Sequence, residues 1–346
     1  MTTAAPFPLT VGVMSRAHVH ADSYIALLAA TPGVEVVVAD PDGPAGEPDR
    51  RDQGLPDGAT FVADYATLLE RGPDAVVITS ETQGHRALVE RAAEAGAAIL
   101  CEKPLATTAD EARAIAAVVR RTGVPFMIAY PVRFMPASRE LAARLEAGQI
   151  GRLVAVCGTN NGRLPVHRPW FVDPALSGGG ALFDHVVHLA DLIDVIHPNS
   201  PVSVMAVTNR RLYADASPSA ETGGLVLVTY DSGVVAAIDC SWSQPAAAPT
   251  WGGLTIHVTG TLGDIDVDPF RPRLRGIDAP GGRAIEMPYG ESGDPGLISS
   301  FLEMARSRHQ QQPDLGVALR TLSVVLAAAE SAQCNRSVPV LDLDRY

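Results

Sequence analysis

The chain has 346 residues, 47% of them hydrophobic and 19% charged, with a formal net charge of −12. That composition is globular and large enough for two domains of ordinary size, and without a Lys/Arg block it argues against nucleic acid or an anionic membrane as partner. Four cysteines (Cys101, Cys157, Cys240, Cys334) are scattered with no CxxC pair. They suit free thiols in a reducing cytoplasm better than a disulfide framework or a structural zinc site. Met1 to Pro8 shows no basic region followed by a long apolar stretch, so no signal peptide is expected. No apolar run is read as reaching the ~18 residues of a membrane span.

The first third alternates strand and helix. Leu9 to Met14 reads as a strand, and Ala21 to Ala30 as a helix with Tyr24, Leu27 and Leu28 on one face. Pro32-Gly33 punctuates, Val34 to Ala39 is an apolar strand ending at Asp40, and Pro41 to Gly58 is loop. A short helix over Tyr65 to Arg71, a strand over Ala75 to Thr79 and a helix over His85 to Ala95 follow. Strand Ala97 to Cys101 leads to helix Asp110 to Thr122, capped by Thr107 or Thr108 with Glu111 in its first turn, and then to strand Val124 to Ala129. Repeated βαβ units predict a parallel sheet covered by helices over residues 1–130.

After Tyr130 the pattern changes. A helix over Pro136 to Ala147 and a strand over Leu153 to Gly158 precede an irregular loop, Pro165 to Gly180, which holds Trp170 and Phe171. Ala181 to Ile196 reads as one helix. Five β-type runs follow without intervening helices (Val202 to Thr208, Gly224 to Tyr230, Gly233 to Ser241, Leu254 to Gly260, Gly263 to Val267), with hairpin turns at Asp231-Ser232-Gly233 and Thr261-Leu262-Gly263. Helices Gly296 to Ser307 and Asp314 to Cys334 and a short strand at Val338 to Leu341 close the chain. Residues 131–346 are therefore expected to form an α+β domain on a mainly antiparallel sheet.

Three segments carry chemistry. Glu102-Lys103-Pro104 follows a buried strand, at the carboxyl end where a doubly wound sheet binds ligands, so Lys103 is placed to reach a substrate oxygen. The first strand-to-helix turn lacks G-x-G-x-x-G and reads Ser15-Arg16-Ala17-His18-Val19-His20. Ser15 and Ala17 are small enough for pyrophosphate to approach, and Arg16 can pair with phosphate. His18 and His20 form an H-x-H pair with no third ligand apparent, so no metal site is expected. Asp40, at the end of the second strand, stands where an acidic residue binds the ribose of NAD and repels the 2′-phosphate of NADP; an ordinary Asp-Pro turn is the other reading.

The third segment is Gly178-Gly179-Gly180 followed by Asp184 and His188. Four residues apart, Asp184 and His188 share a helix face, where a carboxylate can hold an imidazole for proton transfer; Asp191 is a second neighbour of His188. The alternative is a capping carboxylate and a core histidine.

Glu102-Lys103-Pro104, followed about 80 residues on by Gly-Gly and the Asp-x-x-x-His helix, resembles the Gfo/Idh/MocA oxidoreductases, the glucose–fructose oxidoreductase and inositol dehydrogenase family. Val34 to Asp42, Asp74 to Leu105, Arg133-Phe134-Met135-Pro136, Gly148-Gln149-Ile150-Gly151 and Glu330-Ser331-Ala332 fit the same order. The resemblance implies a Rossmann domain with a C-terminal α+β domain whose open sheet makes oligomer contacts, as a homodimer or homotetramer. It implies hydride transfer between NAD and a secondary hydroxyl or ketone of a sugar, aminosugar or cyclitol. By position, Lys103 would bond the reacting oxygen, His188 would take the hydroxyl proton, and Asp184 would orient the substrate or the histidine. Ser80, Thr82, His85, Glu102 and Arg133 would border the cofactor, with Ser15, Arg16, Ala17, His18 and Asp40. Arg163, His167, Trp170, Phe171 and Trp251 fall in irregular segments suited to lining a substrate pocket; Trp170 can equally be a core or interface residue. The chain departs from the family pattern in its missing glycine fingerprint and in Val186, where a glycine is usual. A non-catalytic dinucleotide- or sugar-sensing relative is the competing reading.

Overall fold

The computed structural model describes residues 8–42, 54–165, 167–213, 219–248, 250–270, 273–278, 283–288 and 292–345. The first seven residues and most of the expected loop from Pro41 to Gly58 lie outside these. Six parallel strands make the first sheet: β1 (Leu9–Met14), β2 (Val34–Ala39), β3 (Ala59–Val62), β4 (Ala75–Ile78), β5 (Ala98–Cys101) and β6 (Phe126–Ile128), in the order β3-β2-β1-β4-β5-β6. Order reverses between β1 and β4, which opens the ligand crevice of a doubly wound sheet. The crossovers are helices α1 (Ala21–Ala29), α2 (Tyr65–Glu70), α3 (His85–Glu94) and α4 (Ala109–Thr122). The central strands are buried on both faces, hence their unbroken apolar runs.

Local chemistry fixes where these elements begin and end. The Thr108 hydroxyl accepts the Glu111 N–H, and the Glu111 carboxylate returns to the Thr107 hydroxyl at 2.7 Å, while Gly123 closes α4 in the left-handed region. β3 was absent from the sequence reading, because a four-residue edge strand after Pro56-Asp57-Gly58 carries too short a pattern to show.

Helix α5 (Pro136–Glu146) leads into the second sheet, built from β7 (Leu153–Gly162), β8 (Pro201–Asn209), β9 (Gly223–Tyr230), β10 (Val235–Ser241), β11 (Gly252–Gly260), β12 (Asp264–Val267) and β15 (Val338–Pro339). Its order is β12-β11-β7-β10-β9-β8-β15, and every pairing is antiparallel except β7 with β10. A separate hairpin, β13 (Arg273–Asp278) and β14 (Arg283–Pro288), lies outside the strands expected. The predicted irregular stretch from Pro165 to Gly180 contains a 3-10 turn, Pro169–Val172, and a short helix, α6 (Pro174–Ser177).

The helix expected over Ala181 to Ile196 is two pieces: a π-helical turn, Leu182–Val186, and then α7 (Val187–Ile196). Helix α8 (Asp294–Ser307) crosses back to the first sheet, where Leu297, Ile298 and Phe301 share a core with Val11, Val13 and Leu100. Helix α9 (Leu315–Cys334) is apolar and long enough to cross a membrane by length and composition, with a mean hydropathy of 1.5, contrary to the sequence expectation. Its buried face lies in the same core as Val204 and Ala206 of β8 and Phe126 of β6, as a core helix does.

Candidate active site

Lys103 leaves the end of β5 through a cis Lys103-Pro104 bond and points into a cleft of about 560 Å³ between the two sheets. Its Nζ donates to Asp184 Oδ1 at 2.9 Å and to the Asp184 carbonyl at 3.2 Å. Lysine has three N–H donors, so one stays free for the cleft. Asp184 Oδ2 accepts the Trp242 indole N–H at 2.9 Å. Burial disfavours the Asp184 charge, but Lys103 and His185 outweigh it and hold the carboxyl below the usual range.

The expected partnership of Asp184 and His188 is not formed. No hydrogen bond joins them among the described residues; Asp184 is taken by Lys103 and Trp242 instead. His188 lines the cleft with its Nδ1 buried and unpartnered, and burial, reinforced by Lys103, lowers its pKa well below the ordinary imidazole value. It is a neutral base at neutral pH. Asp191 is committed elsewhere, to a buried ion pair with Arg133.

The Arg133 guanidinium, expected to border the cofactor, closes on Asp191. His85, also expected to border the cofactor, is buried between the Ser80 loop and the lysine loop. Its Nδ1 lies 3.1 and 3.2 Å from the Pro104 and Leu105 carbonyls and its Nε2 3.3 Å from the Ser80 carbonyl, and the neutral ring donates from one of these two sides. Ser80 and Thr82 are buried in the same loop.

The first turn compensates for its missing glycines. Ser15 itself takes the left-handed region, φ 75°, and its hydroxyl accepts the Ala17 N–H at 3.2 Å. Arg16 reaches Asp22 at 2.8 Å. The Ala17 carbonyl accepts from the Trp170 indole at 3.2 Å and from Arg168, so the second-domain loop rests on this turn. Asp40 is fully buried, and neither carboxylate oxygen makes a hydrogen bond of good geometry, though the Arg16 N–H and the Ser15 hydroxyl lie near it. Burial pushes its pKa up to about 6, against the pull of the Arg16 backbone N–H, the Arg16 charge and Ser15. Acceptors with capacity to spare at the end of β2 fit the diol of a nucleotide ribose.

Glu102 is buried with its Oε2 on the Lys103 N–H (3.0 Å) and its Oε1 on His20 Nδ1 (2.9 Å). His18 Nδ1 is 3.5 Å from the same Oε1. Of the residues expected to line the substrate pocket, Phe171 and Trp251 do so. Arg163 is turned to the Ala248 carbonyl, Trp170 stacks on Phe171 at 4.0 Å behind the wall, and His167 lies outside the lining. The sequence reading missed Trp242, Asn160 and His185. Trp242 lies just past a strand end in no local motif, whereas His185, beside Asp184, was legible as a polar residue in an apolar run.

Known proteins share the fold and part of the sequence. The family model described as an oxidoreductase family with an NAD-binding Rossmann fold matches residues 11–130, and the GFO/IDH/MocA C-terminal domain matches residues 138–266. D-apiose dehydrogenase of Paraburkholderia graminis is 29% identical over 56% of this chain and 50% of its own length. Myo-inositol dehydrogenase Hyg17 of Streptomyces leeuwenhoekii is 34% identical over 43% of this chain and 44% of its own. The chain thus spans about half the length of these curated relatives. The crystal structure of GenD2 from gentamicin A biosynthesis, in complex with NAD, superposes with a TM-score of 0.84 at 21% identity over 98% of each chain, a likeness of fold. Because matching domains run from the first strand of one sheet to the edge hairpin of the other, in the order the motifs implied, the chain belongs to the Gfo/Idh/MocA family of oxidoreductases.

Proposed function

We propose that this chain is an NAD-dependent dehydrogenase that oxidises a secondary hydroxyl of a sugar, aminosugar or cyclitol, or reduces the corresponding ketone. The observation that carries the reading is the meeting of Lys103, from the first sheet, with Asp184 of the second domain beside a neutral His188. Residues 1–130 serve as the cofactor half and 131–346 as the substrate half, with α8 bracing the first sheet.

The Ser15 turn and the Asp40 carboxylate are suited to holding the dinucleotide, and Asp40 favours NAD over NADP by charge. When bound, NAD supplies the hydride acceptor. Asp184 and Trp242 hold the Lys103 ammonium so that its free N–H donates to the substrate oxygen and stabilises alkoxide charge as it develops. Neutral His188 takes the hydroxyl proton. Phe171 and Trp251 supply apolar walls for a sugar face.

We also infer a homodimer or homotetramer built through the open face of the second sheet, where Val207, Leu225 and Leu227 are about half exposed. All four cysteines are unpaired, which supports a reducing compartment such as the cytoplasm.

The test is a panel of sugars, aminosugars and cyclitols followed by nicotinamide absorbance, with NAD binding titrated in parallel. Lys103→Met should cut kcat by about 10²–10³-fold with NAD affinity kept. Tight NAD binding without turnover on any polyol would support the sensor instead, and binding of neither NAD nor NADP would sink the dehydrogenase reading.

A further inference from the structure

The sequence supplies His18 and His20 without a third ligand, and the fold supplies one. One ring nitrogen of each histidine and one carboxylate oxygen of Glu102 lie within 4.8 Å of one another. His18 Nδ1 is 3.5 Å and His20 Nδ1 is 2.9 Å from the same oxygen, Glu102 Oε1. In a tetrahedral site with metal–nitrogen bonds of about 2.0–2.1 Å, neighbouring ligand atoms stand roughly 3.3 Å apart. The observed spacings bracket that value.

The proton inventory points the same way. His18 Nδ1 accepts the backbone N–H of His20 at 3.3 Å, so this nitrogen presents a lone pair and carries no proton. It therefore faces the Glu102 carboxylate oxygen as one acceptor faces another. His20 Nδ1 is 2.9 Å from the same carboxylate oxygen, to which it donates in the metal-free chain. A cation would take the place of that one proton, with all three ligand atoms within 4.8 Å of one another. Glu102 and His18 are buried, whereas the His20 side chain is 28% exposed on the cleft wall that Lys103, Asp184 and His188 also line. The ring of His18 is fixed by packing against Phe171, at 5.5 Å between centroids.

We propose that His18, His20 and Glu102 form a binding site for one divalent transition cation of the zinc class. Two imidazoles and one carboxylate suit such an ion better than magnesium or calcium, which prefer oxygen ligands. Three protein ligands leave a coordination position open toward the cleft, where an oxygen from water or from a bound hydroxyl compound completes the set. The site goes beyond the hydride-transfer reading and does not depend on it, since its ligands lie together without a cofactor.

Cobalt(II) is the probe, added to chelator-treated full-length protein without nicotinamide and followed by its visible absorption. One equivalent per chain with four-coordinate bands is expected, displaced by one equivalent of zinc. His20→Ala and Glu102→Gln should each weaken cobalt binding at least tenfold, the lower end of what outer-shell changes alone cost. Asp266→Asn, in the exposed His257/Asp264/Asp266 trio on the β11–β12 hairpin, should leave it unchanged. Less than a tenth of an equivalent on the parent protein, a loss below tenfold in both cleft variants, or loss in Asp266→Asn would overturn the proposal. Should the cleft variants not fold, X-ray absorption of the zinc-loaded parent decides: two imidazoles with oxygen support the site, and fewer than two overturn it. NAD binding, titrated separately by fluorescence, tells failure of this site apart from failure of the dehydrogenase reading.

Discussion

Two buried groups, Asp40 at the end of β2 and His188 in the cleft, owe their chemistry to desolvation, and both make pH-dependent predictions. Asp40 holds its proton in the folded chain up to about pH 6, well above the 3.8 of an ordinary aspartate. A raised carboxyl pKa means that the ionised form costs stability above about pH 6, a cost that fades through that window and is absent below about pH 4. Asp40→Asn should therefore raise the melting temperature at pH 8 more than at pH 4, while weakening NAD binding. An equal gain at both pH values would show that the carboxylate is not the source. His188 is shifted the other way, its pKa lowered by burial and by Lys103. A base must be neutral to take a proton, so the acid limb of kcat/KM for alcohol oxidation should fall below pH 6.5. His188→Ala should cost about 10²–10⁴-fold in rate. An acid limb at or above pH 6.5 would remove His188 from that role.

At the scale of elements, the segment carrying Asp184 depends on a clamp far away in sequence. Glu221 Oε1 accepts the N–H groups of Gly180 (2.8 Å) and Leu182 (3.0 Å), and its backbone carbonyl accepts that of Ala181 (3.0 Å). A β-carbon at Gly180 would stand 2.0 Å from the Glu221 carbonyl oxygen, so only glycine allows this approach. Glu221→Ala leaves two N–H groups at the start of the π turn without acceptors, a loss of about 1–3 kcal/mol. Its melting temperature should fall together with kcat, because Asp184 sits on the next turn, and Glu221→Gln should restore most of both. Unchanged melting in Glu221→Ala would refute the clamp.

On the scale of the whole molecule, the second sheet covers one face with α7 and α9 and leaves the other open, with Leu225 57% and Val207 49% exposed. An apolar face of that kind is stable in water when a second copy covers it. If the proposed oligomer forms through this face, Leu225→Lys combined with Leu227→Glu should reduce its mass to that of a monomer by light scattering. A mass unchanged by the pair would place the interface elsewhere. The two sheets are also joined: α8 returns to pack on the first, and Arg168 and Trp170 rest on the β1–α1 turn. The cleft is therefore lined by residues of both halves.

Periodicity, apolar runs and turn residues were enough to read most elements from the sequence, since burial on one or both faces writes itself into spacing two, spacing 3.6 or an unbroken apolar run. Glu102-Lys103-Pro104 and Asp184/His188 were legible for a similar reason, being polar groups at strand and helix ends where apolar spacing breaks off. Partnership was not legible. Whether Asp184 serves His188 or Lys103, whether Arg133 faces a cofactor or Asp191, and whether His18 and His20 find a third ligand all depend on side chains up to 84 residues apart (102 − 18). A local pattern holds no record of such distances. The π turn, the left-handed Ser15 and the Glu221 clamp belong to the same class. Each is a local conformation held by contacts with segments distant in sequence, which is why only the tertiary structure decides it.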